Sequence, residues 1–277
     1  MDWSHWTHSQ LVVSAQAQEI MAKWAKWCAI SCTHVPHQSE RAIARMLEEI
    51  KGRKLTHFIH LGDVVDADAA SVHPDDTDGY TLYEEFCVAA DMLKRIRKAL
   101  PNDCELILLD GNHDDNIMRP DPRRVPKALR DLCNPRKMEG VSDEYKRWKR
   151  IPYRYGPRGC YQLGAIIFAH GYSASANSDE LEGLQLAMAC GGHAHRLIVR
   201  GHTHRPVPPT QCKRTMRIKL PWWYANVGYM AFEQRPPYTH RYDVQQWGRA
   251  CLVGECQLGR LGRMGKDSWK AELIRLD

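Results

Sequence analysis

The sequence predicts an α/β protein, and three observations carry this prediction. The chain has 277 residues with 43% hydrophobic content, enough to bury one large core. Short apolar runs alternate with longer stretches in which apolar residues recur at helical spacing. Polar residues follow several of the apolar runs directly, as they do where the strands of a helix-flanked sheet end at a binding site.

The first half of the chain contains a predicted βαβ unit. The segments "KWCAIS" (26–31) and "LTHFIHL" (55–61) resemble buried strands, and "SERAIARMLEEIKGRK" (39–54) between them has helical periodicity. Ser39 can cap that helix, because a serine side chain accepts a hydrogen bond from a free N–H group of the first turn. The segment "YTLYEEFCVAADMLKRIRKAL" (80–100) predicts a second helix and "CELILLD" (104–110) a third strand.

The second half is predicted to be richer in strands. The segment "CYQLGAIIFAH" (160–170) predicts one or two strands, "SDELEGLQLAMAC" (178–190) a helix and "RLIVRGH" (196–202) another strand. Further strands are expected in "TMRIKL" (215–220), "WWYANVGYM" (222–230) and "RACLVGECQL" (249–258). We expect a single domain over 1–277, with a Pro-rich basic insertion at about 116–157 and a β-rich C-terminal part from about 205.

Composition argues against a secreted or membrane protein. The N-terminus lacks the basic start and apolar block of a signal peptide, and no run approaches the ~18 apolar residues of a membrane span. The ten cysteines are scattered, without a CxxC pair, and suit reduced thiols. We therefore predict a soluble, cytoplasmic protein that does not bind a membrane.

The net charge of +6 is unevenly distributed. The segment from Asp63 to Asp91 has nine acidic residues and no Lys or Arg. The segment from Asp115 to Arg158 has thirteen Lys or Arg and only six acidic residues. Such runs are often no more than solvated surfaces. They also suit a site in which carboxylates bind cations and a basic flap binds a polyanion.

Five polar clusters each follow an apolar segment. Cys32 and His34 follow "AIS", "GDVVD" follows "FIHL", "GNHD" follows "LILLD", "HG" follows "AIIFA", and "GHTH" follows "LIVR". Because ligands gather at the carboxyl ends of strands in helix-flanked sheets, we expect all five clusters to meet in one crevice.

The side chains of these clusters suit metal binding. Their oxygen, imidazole and thiol groups could hold two divalent cations roughly 3.5–4 Å apart. The candidates are Cys32, His34, Asp63, Asn112, His170, His202 and His204. In Cys32-x-His34 and His202-x-His204, alternate spacing predicts that both side chains lie on one side of an extended segment. Glycines at 62, 111, 171 and 201 allow tight turns beside the metals.

In this order and spacing, the clusters resemble those of the calcineurin-like metallophosphoesterases. The family pattern D-x-H, G-D-x-x-D, G-N-H-[DE], H and G-H-x-H stands here as "CTH", "GDVVD", "GNHD", "HG" and "GHTH". The resemblance covers roughly Cys28 to Met230, including "NVG" at Asn226. It implies two β-sheets packed face to face with helices outside, a four-layer αββα sandwich.

The resemblance also implies roles for individual residues. Cys32, His34, Asp63 and His204 would hold one metal, and Asp63, Asn112, His170 and His202 the other, with Asp63 bridging both. A water or hydroxide between the ions would attack phosphorus in line. His113 would bind no metal but donate a proton to the leaving oxygen or stabilise the phosphoryl oxygens, and Asp66 would orient it.

Cys32 stands where the family has an aspartate. A thiolate keeps the negative charge but is softer, so it favours zinc or iron over manganese or magnesium at that position. The lariat-RNA debranching enzymes of the superfamily are similar in having a cysteine there. The alternative is that Cys32 is a small core residue and the first metal has three ligands.

We therefore expect a phosphoesterase that requires two divalent ions (Mn, Fe or Zn) and prefers phosphodiesters, with nucleic acid or nucleotides as favoured substrates. Arg119, Arg123, Arg124 and His37 are candidates for substrate binding, and Lys146, Arg147 and Lys149 are further basic residues that could face the crevice. A phosphomonoesterase and a non-catalytic scaffold remain alternatives. The sequence does not predict the oligomeric state.

Overall fold

The computed structural model describes residues 23–67, 79–118, 133–175, 177–213, 219–232, 246–259 and 267–277. Within them, the strands are β1 (Lys23–Ile30), β2 (His57–His60), β3 (Glu105–Leu109), β4 (Lys149–Ile151), β5 (Cys160–Leu163), β6 (Ile166–Ala169), β7 (Arg196–Arg200), β8 (Pro206–Lys213), β9 (Lys219–Val227), β10 (Ala250–Leu258) and β11 (Trp269–Arg275). The α-helices are α1 (Glu40–Ile50), α2 (Leu82–Ala99), α3 (Asn112–Met118), α4 (Ser142–Arg147) and α5 (Ser178–Ala189), and a 3₁₀ turn spans Gly156–Gly159.

The strands form two sheets. The first has the order β11-β10-β1-β2-β3-β4, and the second has the order β5-β6-β7-β9-β8. Strands β1 to β4 run parallel, as do β6, β7 and β9, while β10, β11, β5 and β8 pair antiparallel with their neighbours. Because the carboxyl ends of neighbouring parallel strands lie at the same end of a sheet, the segments after β1, β2 and β3 leave the first sheet side by side.

A continuous apolar core joins the two sheets. Trp27 of β1 and Phe168 of β6 meet edge to face across it, with ring centroids 5.1 Å apart, and both are fully buried. Burying a side chain of this size contributes roughly 1.5–3 kcal/mol to folding. On the outer faces, α1 and α2 pack against the first sheet and α5 packs against Ile167 and Ile198 of the second. The predicted αββα sandwich is confirmed.

Local sequence signals explain the helix starts. The Ser39 hydroxyl accepts a hydrogen bond from the N–H of Ala42 at 3.1 Å, which confirms the predicted cap of α1. Thr81 and Glu84 form a reciprocal capping box at the start of α2. Among the described residues, no helix has the length and apolar character needed to cross a membrane.

Three strands were not predicted. Strand β8 contains three prolines in "PVPPTQCK", a composition that argues against a strand. It lies at the edge of the second sheet, where proline is tolerated because one side of the strand has no neighbouring strand to accept its hydrogen bonds. Strand β11 is the edge of the first sheet, and β4 is a three-residue strand inside the predicted insertion. Most of the predicted strand at 215–220 lies outside the described residues. The single-domain organisation stays a prediction.

Candidate metal centre

Loops that follow five strands bring the predicted ligands together at one edge of the two sheets. The ligand positions follow β1 (Cys32, His34), β2 (Asp63), β3 (Asn112), β6 (His170) and β7 (His202, His204). The Nε2 atom of His170 lies 3.1 Å from Oδ2 of Asp63, although 107 positions separate the two residues in sequence and they come from different sheets. The predicted convergence at the strand ends is therefore present.

Backbone turns, rather than strand alternation, aim the side chains. The predicted extended geometry of Cys32-x-His34 and His202-x-His204 is wrong, because these residues have φ values of 54°, 43°, 67° and 59°. Strands β1 and β7 have already ended, at Ile30 and Arg200. Left-handed backbone costs a non-glycine residue on the order of 1–3 kcal/mol and is typical of functional sites. Hydrogen bonds from the N–H groups of Cys32 and His34 to the Gly62 and Asp63 carbonyls, at 2.9 and 3.1 Å, hold the first turn.

Two of the predicted glycines allow a close approach of backbones. A Cβ atom at Gly111 would overlap the Asp63 carboxylate, and one at Gly62 would overlap the backbone nitrogen of Gly111. Gly62 also has φ +108°, which favours glycine. The loops after β2 and β3 can therefore touch only because neither position carries a side chain.

The first group of possible ligands combines sulfur and imidazole. The Sγ atom of Cys32 and a ring nitrogen each of His34 and His204 lie within 4.8 Å of one another, and all three residues are buried. The Nε2 atoms of His34 and His204 are only 3.2 Å apart. Cys32 is thus placed with the other predicted ligands of the first metal.

The second group centres on Asp63 and His170. Cys32, Asp63 and His170 also offer donor atoms within 4.8 Å of one another, so Cys32 belongs to both groups. The Oδ1 atom of Asn112 lies 3.1 Å from Nε2 of His170, and the rings of His170 and His202 are 5.1 Å apart. Nδ1 of His170 is 2.8 Å from the Leu61 carbonyl and must donate to it, which leaves the lone pair of Nε2 facing the site.

Asp66 holds two histidines, but not as predicted. Its carboxylate accepts a hydrogen bond from Nδ1 of His34 at 2.7 Å, whereas Nδ1 of His113 donates to the backbone carbonyl of Asp66 at 2.6 Å. The Asp66 carboxylate is 3.5 Å from the His113 ring nitrogen. Asp66 therefore orients the possible ligand His34 through its side chain and His113 mainly through its backbone.

Several supporting residues were missed by the sequence analysis. The Asp114 carboxylate, the last letter of "GNHD", accepts hydrogen bonds from the N–H groups of Asp63 and Gly111 at 2.7 and 2.8 Å and so ties two loops together. Its place in the motif was the available signal. His60 accepts a hydrogen bond from the Gly62 N–H at 3.2 Å, and its other ring nitrogen lies 3.1 Å from the Thr33 hydroxyl, so it supports the loop that carries Asp63.

A buried ionic network supports the loops that carry His170 and His202. Arg200, at the end of β7, is fully buried and lies 3.5 Å from Asp179 and 3.1 Å from Glu182 of α5. Glu182 also accepts from the Tyr172 N–H at 3.0 Å. Asn226, noted in the sequence as part of "NVG", donates to Asp179 at 2.8 Å. No sequence pattern signalled this network.

The donor set fits a divalent cation. Because Nδ1 of His34 donates to Asp66, its Nε2 atom presents a lone pair 3.2 Å from Nε2 of His204. Nδ1 of His204 is buried without a hydrogen-bond partner among the described residues. Imidazole, thiol and carboxylate donors converging in this way suit zinc, iron or manganese.

A sequence model described as "Calcineurin-like phosphoesterase superfamily domain" matches residues 26–246. The chain belongs to this superfamily. No curated protein matches the chain.

Among solved structures, the chain is similar to "Vacuolar Protein Sorting 29" from Cryptosporidium parvum, with 15% identity, a TM-score of 0.43, and 91% of this chain and 98% of that one covered. It is also similar to zinc-complexed Vps29 from Entamoeba histolytica (13% identity, TM-score 0.41, 91% and 99% covered). The phosphoesterase YfcE from E. coli is similar as well (13%, 0.36, 91% and 100%). Similarities of this size do not carry function from those proteins to this chain.

In this calcineurin-like chain, the electrostatics of the site favour the neutral imidazole at His202 and His204. Burial lowers the pKa of His202 to about 3, with the neighbouring His170 adding to the effect, and burial lowers the pKa of His204 well below its usual range. Burial alone would raise the pKa of Asp63, but the positive charges that His170, His113 and His34 carry when protonated lower it well below its usual range. A neutral histidine and an ionised carboxylate are the forms that bind metal.

The Cys32 thiol behaves differently. Burial, followed by the charge of Asp63, raises the pKa of Cys32 well above its usual range. The Ser31 hydroxyl, 3.0 Å from Sγ, only partly offsets this. A thiolate at Cys32 therefore requires the charge of a bound cation, which couples ligation to loss of the thiol proton.

The predicted substrate-binding residues have different outcomes. Arg119, Arg123 and Arg124 lie outside the described residues. His37 lies at the rim of the site, with a side chain 44% exposed and Nε2 3.7 Å from Asp66, so its predicted substrate contact stays open.

The basic residues at the end of the insertion lie elsewhere. Lys149 pairs at 3.3 Å with Glu105, which begins β3, whereas the possible ligands follow the end of that strand. Arg147 pairs with Glu144, and Lys146 bonds Ser142. Arg147 and Lys149 lie beside Cys104 and Glu105, at the start of β3, so the hypothesis that these two residues face the crevice is wrong. For Lys146 it stays a prediction.

Proposed function

We propose that this chain is a phosphodiesterase that requires two divalent metal ions and acts on nucleotides or nucleic acid. The observation that carries the proposal is the position of His113 beside the buried donor groups. Its backbone N–H donates to Oδ1 of Asp63 at 3.0 Å. Its side chain is 31% exposed, whereas those of Asp63 and His170 are 2% and 1% exposed. His113 can thus contact a substrate at the surface of the site, above the buried groups that could bind the metals.

The proposal assigns Cys32, His34, Asp63 and His204 to one ion and Asp63, Asn112, His170 and His202 to the other. When bound, the ions would polarise a phosphoryl oxygen and lower the pKa of water. Asp63 suits the shared position because its carboxylate has two oxygens and stays ionised in the site. Asp66 keeps Nε2 of His34 directed towards His204.

His113 is proposed to protonate the leaving oxygen of the ester. Its Nδ1 atom is held by the Asp66 carbonyl, so Nε2 is the nitrogen left for the substrate. Burial alone would lower the pKa of His113, but Asp63 and Asp66 raise it above its usual value. A protonated imidazole at the mouth of the site can donate to the departing alkoxide or hold a phosphoryl oxygen.

Hydrolysis of two chromogenic esters tests the proposal. We expect the protein with added Mn²⁺ to hydrolyse bis-p-nitrophenyl phosphate faster than p-nitrophenyl phosphate and to lose both activities in excess chelator. Faster turnover of the monoester would favour a phosphomonoesterase. Turnover of neither ester, under any metal, would favour a scaffold that uses the same fold without catalysis.

A further inference from the structure

A row of three tyrosines leads from the metal centre to the surface. The ring of Tyr153 is 5.9 Å from that of His170, Tyr172 is 4.8 Å from Tyr153, and Tyr155 is 5.1 Å from Tyr172. Tyr155 ends the row with 67% of its surface exposed. We call these residues the tyrosine row.

The rings of the tyrosine row are held in place by their hydroxyl groups. Tyr153 donates to the Gly171 carbonyl at 3.1 Å, Tyr155 donates to Oε1 of Gln185 at 2.9 Å, and Tyr172 donates to the Arg154 carbonyl. With the hydroxyls engaged, the exposed ring of Tyr155 and the accessible part of the half-buried Tyr172 ring are left for a ligand. An exposed aromatic ring that is already oriented loses little conformational freedom on binding.

Exposed cations accompany the row. Arg154 and Arg158 flank Tyr155 in sequence and both are exposed, with the Arg154 guanidinium 3.9 Å from Asp115. Aromatic faces next to arginines beside a phosphate-cleaving site are the combination that binds single-stranded nucleic acid, since bases stack on the rings and phosphates pair with the cations.

We propose that Tyr172 and Tyr155 stack with a nucleobase attached to the scissile phosphodiester, so the substrate is a nucleotide diester rather than an alkyl or lipid diester. The proposal rests on the proposed function, because a base bound at the row belongs to the substrate only if the metal centre hydrolyses phosphodiesters. The stacking contact is expected to contribute about 5- to 150-fold to kcat/KM.

Two diesters with the same leaving group test this proposal. Thymidine 5′-(p-nitrophenyl phosphate) carries a base, whereas methyl p-nitrophenyl phosphate does not. We expect Tyr155→Ala to lower kcat/KM for the thymidine ester at least about 5-fold and to leave the methyl ester unchanged. Tyr155→Phe, which keeps the ring and loses only the bond to Gln185, should retain most of the activity on both.

The outcomes separate this proposal from the proposed function. Equal loss on both esters, or loss on neither, would overturn base stacking while leaving phosphodiesterase activity in place. Hydrolysis of neither ester by the unmutated protein would overturn the proposed function. In that case, calorimetric binding of the dinucleotide TpT still tests the row, since binding that Tyr155→Ala does not weaken would overturn it.

Discussion

Cys32 is the one sulfur donor among the candidate ligands, and the other candidates offer nitrogen or oxygen. Its thiol is fully buried, and burial raises the pKa of the thiol. The Sγ atom lies within 4.8 Å of donor atoms of His34 and His204 in one group and of Asp63 and His170 in the other. An unligated thiol in such a place would be an inert core residue. As a ligand, it would make this half of the site selective for zinc or iron.

Removing the thiol should therefore empty one position. We expect Cys32→Ala to reduce the zinc content from about two ions per chain to about one, because Asn112, His170 and His202 keep the second site. X-ray absorption of the zinc-loaded protein should show sulfur at about 2.3 Å. Cys212→Ala, which removes another buried thiol in β8, is the control and should retain both ions. Full zinc content in Cys32→Ala would show that Cys32 is a core residue and not a metal ligand.

His113 should separate catalysis from metal binding. We expect His113→Ala to keep its metal content while kcat for the diester falls by roughly 10²–10⁴, the usual contribution of a positioned acid or base. His57→Ala is the matched control, since His57 begins β2 at the opposite end from the site and should leave kcat unchanged. Metal analysis and steady-state kinetics on the same samples check this, and loss of metal from His113→Ala would refute the assignment.

At the scale of elements, the contact between the loops after β2 and β3 depends on Gly111. A methyl group at this position would overlap the Asp63 carboxylate. We expect Gly111→Ala to displace Asp63 and to lower both metal content and kcat by at least about 10-fold. Gly259→Ala, whose Cβ would meet no atom of the described residues within 4 Å, should change neither quantity. Unchanged kinetics in Gly111→Ala would show that the loop can shift without harm to the site.

Helix α5 should contribute to stability through its buried acids. Glu182→Gln leaves Arg200 with Asp179 as its ionic partner and the Ser173 carbonyl as a hydrogen-bond acceptor. Removing one partner of a buried ion pair typically costs about 3–5 kcal/mol. The control Glu48→Gln changes an exposed pair with Lys51 and should cost less than about 1 kcal/mol. Urea unfolding of the metal-free proteins measures both, and similar values would mean that the network contributes little.

The strand ends that carry ligands could be predicted because each combines an apolar run with a polar motif within a few residues. The network of Arg200, Asp179 and Glu182 could not, because its members are far apart in sequence and carry no motif. Strand β8 could not be predicted either, since its prolines are tolerated only through its place at a sheet edge. The turns at Cys32 and His202 were misjudged because sequence spacing does not reveal left-handed backbone.

At the scale of the whole molecule, the two sheets act as a frame that brings distant loops to one place. The first sheet supplies Cys32, His34, Asp63 and Asn112, and the second supplies His170, His202 and His204. Apolar packing between the sheets, such as Trp27 against Phe168, fixes the distance between the two halves of the site. A site divided in this way should bind its two ions only in the folded protein.

We propose that this divided site uses two metal ions to cleave a phosphodiester. Titration of the metal-free protein with Mn²⁺, followed by the rate of bis-p-nitrophenyl phosphate hydrolysis, tests it most directly. We expect the rate to rise until about two equivalents of metal are bound and then to stay constant. No turnover at any metal concentration, or full activity with one bound equivalent, would contradict the claim.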